Sequence, residues 1–138
     1  MQESAAVRDT TIATLAHAQG AWYVLAGLWP ILHMRSFVAV TGPKREGWLV
    51  KTVGVLVAVT GTALIVGARA KEWRTVSVLG AGAAASLGGV SFIYASRRRL
   101  SPIYLLDALS ELAITAAWAT IVGRRLLRAR ASRRASSG

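Results

Sequence analysis

The residues best placed to do chemistry are two carboxylates one helical turn apart, Asp107 and Glu111, within the apolar run SPIYLLDALSELAITAAWATIVG at 101–123. Four-residue spacing puts both on one helical face. Acidic side chains at bilayer depth are costly, and they are retained for a function or for a specific pairing. With Ser101 at the membrane interface, a rise of ~1.5 Å per residue sets Asp107 roughly 9 Å deep and Glu111 roughly 15 Å. The second depth is near the middle of a hydrocarbon core about 30 Å thick. Burial and mutual repulsion disfavour ionising both acids, so the two should titrate as a coupled pair.

The elements that must position these acids are membrane helices. The chain has 138 residues, of which 54% are hydrophobic, and its mean hydropathy is +0.45. That is too apolar for an ordinary soluble domain of this length. A spanning helix needs about 20 mostly apolar residues, and four segments qualify, near 12–32, 48–68, 75–95 and 102–122. Thr41-Gly42-Pro43-Lys44 and Arg45-Glu46-Gly47 form a turn-rich charged first connection. The second is Arg69-Ala70-Lys71-Glu72-Trp73-Arg74, and the third centres on Arg97-Arg98-Arg99 before Ser101-Pro102, a helix-starting pair. Trp48 and Trp73 flank the second span as interface anchors. Short second and third connections make neighbours antiparallel. The expected fold is therefore all-α, a transmembrane four-helix bundle running up-down-up-down. Residues 1–11 precede it, and 124–138 read as a basic, disordered tail.

Charge refines the location. The net charge is +11, from 17 Lys and Arg against 6 Asp and Glu, and it collects at the ends of the apolar segments. Arg97, Arg98, Arg99, Arg124, Arg125 and Arg128 are candidate contacts for anionic lipid headgroups. That pattern argues against a nucleic-acid partner, for which a basic face or stripe is expected. MQESAAVRDT has no basic leader region, so the first apolar segment is expected to be an uncleaved anchor. With four spans, the N-terminus, second connection and tail share one side and carry ten basic residues against seven on the other. The positive-inside rule then puts both termini in the cytoplasm of a cell whose inner or plasma membrane holds the protein. Without cysteine there is neither a disulfide nor a thiolate metal site.

Each span carries one small or polar stripe, the usual mark of a helix contact in lipid. These are Gln19, Tyr23, Ala26, Pro30 and His33 in the first; Lys51, Gly54, Ala58, Gly61 and Thr62 in the second; Ser77, Ala81, Ala84, Gly88 and Ser91 in the third; and Tyr104, Asp107, Glu111, Thr115 and Trp118 in the fourth. Pro30 is expected to kink the first helix. The fourth helix begins where the first ends and the second begins, which brings Lys51 and His33 toward Asp107.

Three readings of the acids follow. In a structural one, Asp107 pairs with Lys51 and a protonated Glu111 is hydrogen-bonded, together fixing helix register. In the second, Glu111 is the central carboxylate of a proton- or ion-coupled pathway, or of a site for a cationic solute, with Asp107 and His33 as relays. In the third, the two acids do acid–base catalysis; no nucleophile motif, metal-ligand set or cofactor box accompanies them, so a non-enzymatic protein without metal or cofactor is expected. His17 and His33 lack metal-ligand spacing.

The runs Thr41-Gly42-Pro43-Lys44, Trp48-Leu49-Val50-Lys51-Thr52-Val53-Gly54 and Tyr104-Leu105-Leu106-Asp107-Ala108, with Glu111, resemble a family of small bacterial four-span membrane proteins of no established function. The resemblance implies fold and location and carries no catalytic residue. The architecture is also loosely similar to DoxX-type four-helix membrane proteins, which implies a respiratory or redox accessory role. Small multidrug exporters share four spans and a membrane carboxylate, but theirs is in the first helix. Two functions are thus open: proton- or ion-coupled transport through the carboxylates, and a structural or accessory subunit of a larger membrane complex, such as a respiratory one. A homo-oligomer or a membrane-complex partner fits either.

Overall fold

The computed structural model describes residues 2–97, 101 and 103–135. Among the described residues the chain is all-helical: α1 Gln2–Leu32, α2 Met34–Thr41, α3 Gly47–Arg69, α4 Trp73–Ser96 and α5 Ile103–Ala135. Three helices are long and apolar enough to cross a membrane, namely α3, α4 and α5 over Ile103–Arg124. A fourth crossing is available when Asp9–Leu32 and α2, bent by 110° at His33, are taken as one broken span. Large apolar side chains such as Leu56, Val78, Val90, Leu106 and Leu109 point outward and are exposed. A water-soluble bundle would hide so much apolar surface, whereas lipid accepts it.

Helix ends depart from expectation in three places. α1 starts at Gln2 and α5 runs to Ala135, so residues 124–135 are helical and not a disordered tail. The cause is local: after Gly123 the sequence is mostly Arg, Leu and Ala, strong helix formers with no proline to stop them. The first connection contains α2, whose N-cap is His33, with Nδ1 accepting from the Ser36 backbone N–H at 3.2 Å. The break falls there, three residues beyond Pro30, which stays inside α1. α2 ends at Gly42, where φ is +87°, a conformation glycine adopts without a Cβ penalty. Pro102 and residues 98–100, including Arg98 and Arg99, lie outside the described residues.

The α3–α4 turn is closed by a Schellman pair: Glu72 N–H donates to Gly67 O at 3.0 Å and Lys71 N–H to Ala68 O at 3.2 Å. Lys71 holds the left-handed position at φ +58°. α1 and α3 meet backbone to backbone, with Gly20 against Gly61 and Gly27 against Gly54, so they run antiparallel. A Cβ on Gly27 would collide with Gly54 O, which is why two bare backbones meet there. α5 lies antiparallel on α4, where Ser77, Ala84, Gly88 and Ser91 of the expected stripe are buried together with Gly80, while Ala81 is only half-buried. On α3 only part of the expected stripe is inside: Gly54 and Gly61 are buried, while Lys51 and Thr62 are exposed. Ile12, Ala16, Leu64, Ala68 and Val76 pack with Tyr23 and Trp118 into the apolar core.

Candidate functional site

Two glycines of α4 make room for the polar centre. A Cβ at Gly88 would stand 2.8 Å from Glu111 Cβ, and one at Gly80 would stand 2.6 Å from the Trp118 ring. Glu111 and Trp118, two turns apart on α5, therefore sink onto α4 and reach across to α1. Glu111 is 2% exposed and Trp118 0%. The Tyr23 hydroxyl donates to Glu111 Oε2 at 2.7 Å. Trp118 Nε1 donates to Gln19 Oε1 at 2.7 Å, and Gln19 Nε2 donates onward to the Gly80 carbonyl at 2.9 Å. Gln19 and Tyr23 sit one turn apart on α1, so one face of α1 is bonded to one face of α5 at two levels.

Asp107 occupies the next turn toward the start of α5. Ser91 Oγ donates to its Oδ2 at 2.8 Å. Its side chain is only partly buried and borders a groove of about 560 Å³ between α1, α2 and α5. The polar side chains thus form a ladder, Asp107–Ser91, Glu111–Tyr23 and Trp118–Gln19, whose rungs on α5 run from Asp107 to Trp118, roughly 16 Å of rise. Its Asp107 end meets the groove, and beyond its Trp118 end lies the apolar cluster of Ile12, Ala16, Leu64 and Val76.

Two expected members are not in this ladder. Lys51 does not pair with Asp107; its side chain is exposed on α3, and Ser91 takes the bonding position instead. The reason is that α5 packs on α4 while α3 packs on α1, leaving Lys51 on an outer face. His33 is exposed and spends its ring on capping α2, because α1 breaks immediately before it. Neither acid has an ion-pair partner among the described residues. Of the basic residues proposed to meet headgroups, Arg97 and Arg124 are exposed, and Arg125 and Arg128 follow along α5.

Tyr23, Gln19, Trp118 and Ser91 were each on an expected stripe, yet nothing in their spacing says which helix they bond to. No family model matches this chain, and no curated protein or solved structure matches it either. The site must therefore be read from its own chemistry. Among the described residues no group of three or more His, Asp or Glu is arranged to hold a metal ion. Ser91 donates to Asp107 without an imidazole beside it, and the His17 ring lies against the Ala13 carbonyl at 2.6 Å.

Proposed function

We propose that this chain is a multi-pass protein of an inner or plasma membrane, and that Asp107 and Glu111 carry a proton or ion in coupled transport. In this reading α1 with α2, then α3, α4 and α5, cross up-down-up-down with both termini cytoplasmic. Arg97–Arg99 and Arg124, Arg125 and Arg128 meet anionic headgroups. The protein is non-enzymatic, and a homo-oligomer would widen the pathway that so small a bundle offers.

One observation carries this reading. Asp107 borders an open groove, while Glu111, one turn deeper, is sealed from solvent and bonded to a hydroxyl of another helix. An acid reached from outside and a second enclosed acid in line with it form a two-step route for a proton. The apolar cluster past Trp118 supplies the closed end that a coupled carrier needs.

An accessory-subunit role is favoured by a different fact: no buried side-chain polar atom among the described residues lacks a hydrogen-bond partner. Such full satisfaction suits a rigid scaffold.

Proton flux into phosphatidylethanolamine–phosphatidylglycerol vesicles with entrapped pyranine separates the two. Transport requires flux above empty vesicles, abolished by Glu111→Gln in protein that still folds. Unchanged flux in both Glu111→Gln and Asp107→Asn sinks the transport reading. An accessory subunit gives no flux of its own and co-purifies with a partner in mild detergent.

A further inference from the structure

We propose that the groove between α1, α2 and α5 binds a lipophilic organic cation, an ammonium carrying an aromatic or alkyl substituent. The proposal deepens the reading of Asp107 given above and rests on it for the substrate class alone.

The groove holds about 560 Å³, within the range of roughly 300–1,000 Å³ that small-molecule sites occupy. Trp22 and Trp29 of α1, Phe37 of α2 and Tyr104 of α5 line it, with Asp107 and Ser110 as polar groups. Aromatic walls around one carboxylate suit an ammonium with an apolar body, through cation–π attraction and charge pairing together.

Three details make this a built site. Trp29 is fixed twice: its Nε1 donates to Ser36 Oγ at 2.8 Å, and its ring meets Phe37 edge-to-face at 5.6 Å. The bend at His33 is what folds α2 back to make that contact, so the wall is set before a ligand arrives. Asp107 is bonded through Oδ2 to Ser91, and no described residue donates to its other oxygen. A carboxylate in such apolar surroundings calls for a cation, and Lys51 does not supply one.

The protein's own Lys44 already shows the preference of the wall. Its Nζ lies 4.9 Å from the Tyr104 ring centroid, and it donates to the Thr41 carbonyl at 2.9 Å. Thr41 and Tyr104 both line the groove. Lys44 is therefore a tethered ammonium at the rim, competing with a free one for the same ring.

The test is saturable binding of benzyltrimethylammonium to the detergent-solubilised full chain, by equilibrium dialysis and tryptophan fluorescence. Neutral neopentylbenzene and anionic benzenesulfonate serve as comparisons. The cation is expected to bind in preference to both, and Asp107→Asn to weaken it by at least about tenfold. Lys44→Met is expected to tighten binding several-fold. Equal binding of cation and neutral probe, or undiminished binding in folded Asp107→Asn, overturns the proposal. So does benzenesulfonate binding that Lys44→Met removes, which would make the groove an anion site. Where Asp107→Asn fails to fold, Lys44→Met at the rim decides: tighter binding supports the proposal, and unchanged or weaker binding overturns it. Binding without proton flux would leave this inference standing and remove the transport reading; flux without cation binding would do the reverse.

Discussion

Tyr23 of α1 donates to Glu111 of α5 at 2.7 Å, joining residues 88 positions apart and both almost wholly buried. This bond, with its neighbour from Trp118 to Gln19, is what ties the first helix to the last. Removing the donor leaves a buried acceptor unsatisfied. Tyr23→Phe should lower stability by about 1–3 kcal/mol. Combined with Glu111→Gln in a double-mutant cycle, it should show a coupling of about 0.5–2 kcal/mol, the size of interhelical hydrogen bonds in membranes. Unfolding in mixed micelles of rising dodecyl sulfate content measures both. Additive losses would mean that the two side chains act independently.

Asp107 is expected to couple to Ser91 and not to Lys51. In the same assay, Asp107→Asn and Ser91→Ala should be non-additive, because they share one hydrogen bond. Asp107→Asn and Lys51→Met should add, since Lys51 stands exposed on α3. A rescue of Asp107→Asn by Lys51→Met would mean that the two charges are paired in the parent, against the Ser91 bond and the exposed Lys51.

Glycines of α4 should divide into two classes when each is changed to alanine. At Gly80 and Gly88 the new methyl group meets the Trp118 ring and Glu111 Cβ inside 3 Å, and overpacking of that kind costs about 1–3 kcal/mol. At Gly82 and Gly89 nothing lies within 4 Å. There the better helix propensity of alanine should leave stability unchanged or raise it by up to about 1 kcal/mol. The same melting curve for all four variants would contradict the packing of α5 on α4.

Lys71 holds a left-handed backbone at φ +58° in the Schellman turn. Lys71→Gly should relieve that conformation and stabilise the α3–α4 hairpin, by about 0.5–1 kcal/mol. Lys71→Val should destabilise it, since a branched side chain fits the position worse. Thermal melting of the two variants against the parent checks the order.

Crossing direction can be read with single cysteines, because the chain has none of its own. Ser4→Cys and Lys71→Cys should react with an impermeant maleimide from one side of the membrane, and Arg45→Cys and Arg97→Cys from the other. Ser4→Cys labelled together with Arg45→Cys would show that α1 and α2 do not cross.

Much of this was legible in the chain itself. Apolar runs of membrane length placed α3, α4 and the Ile103–Arg124 part of α5 within a few residues, since hydropathy in lipid is a local property of each segment. The Ser77–Ser91 stripe on α4 and the Gln19–Tyr23 pair on α1 followed from helical periodicity, which likewise needs no partner to be known. The oddity of Asp107 and Glu111 needed only the cost of charge in hydrocarbon.

What the sequence could not decide was which stripe meets which. Lys51 and His33 were reasonable neighbours for Asp107 by topology, yet the pairing of α1 with α3 and α5 with α4 turned Lys51 outward. A 110° break turned His33 into a cap. The helix pairing depends on close approaches, Gly27 to Gly54 and Gly88 to the Glu111 Cβ, between positions 20 or more residues apart. Periodicity fixed the face each acid occupies. Tertiary packing alone chose Tyr23 for Glu111, Ser91 for Asp107, and the aromatic groove that leaves one carboxylate accessible while the other is enclosed.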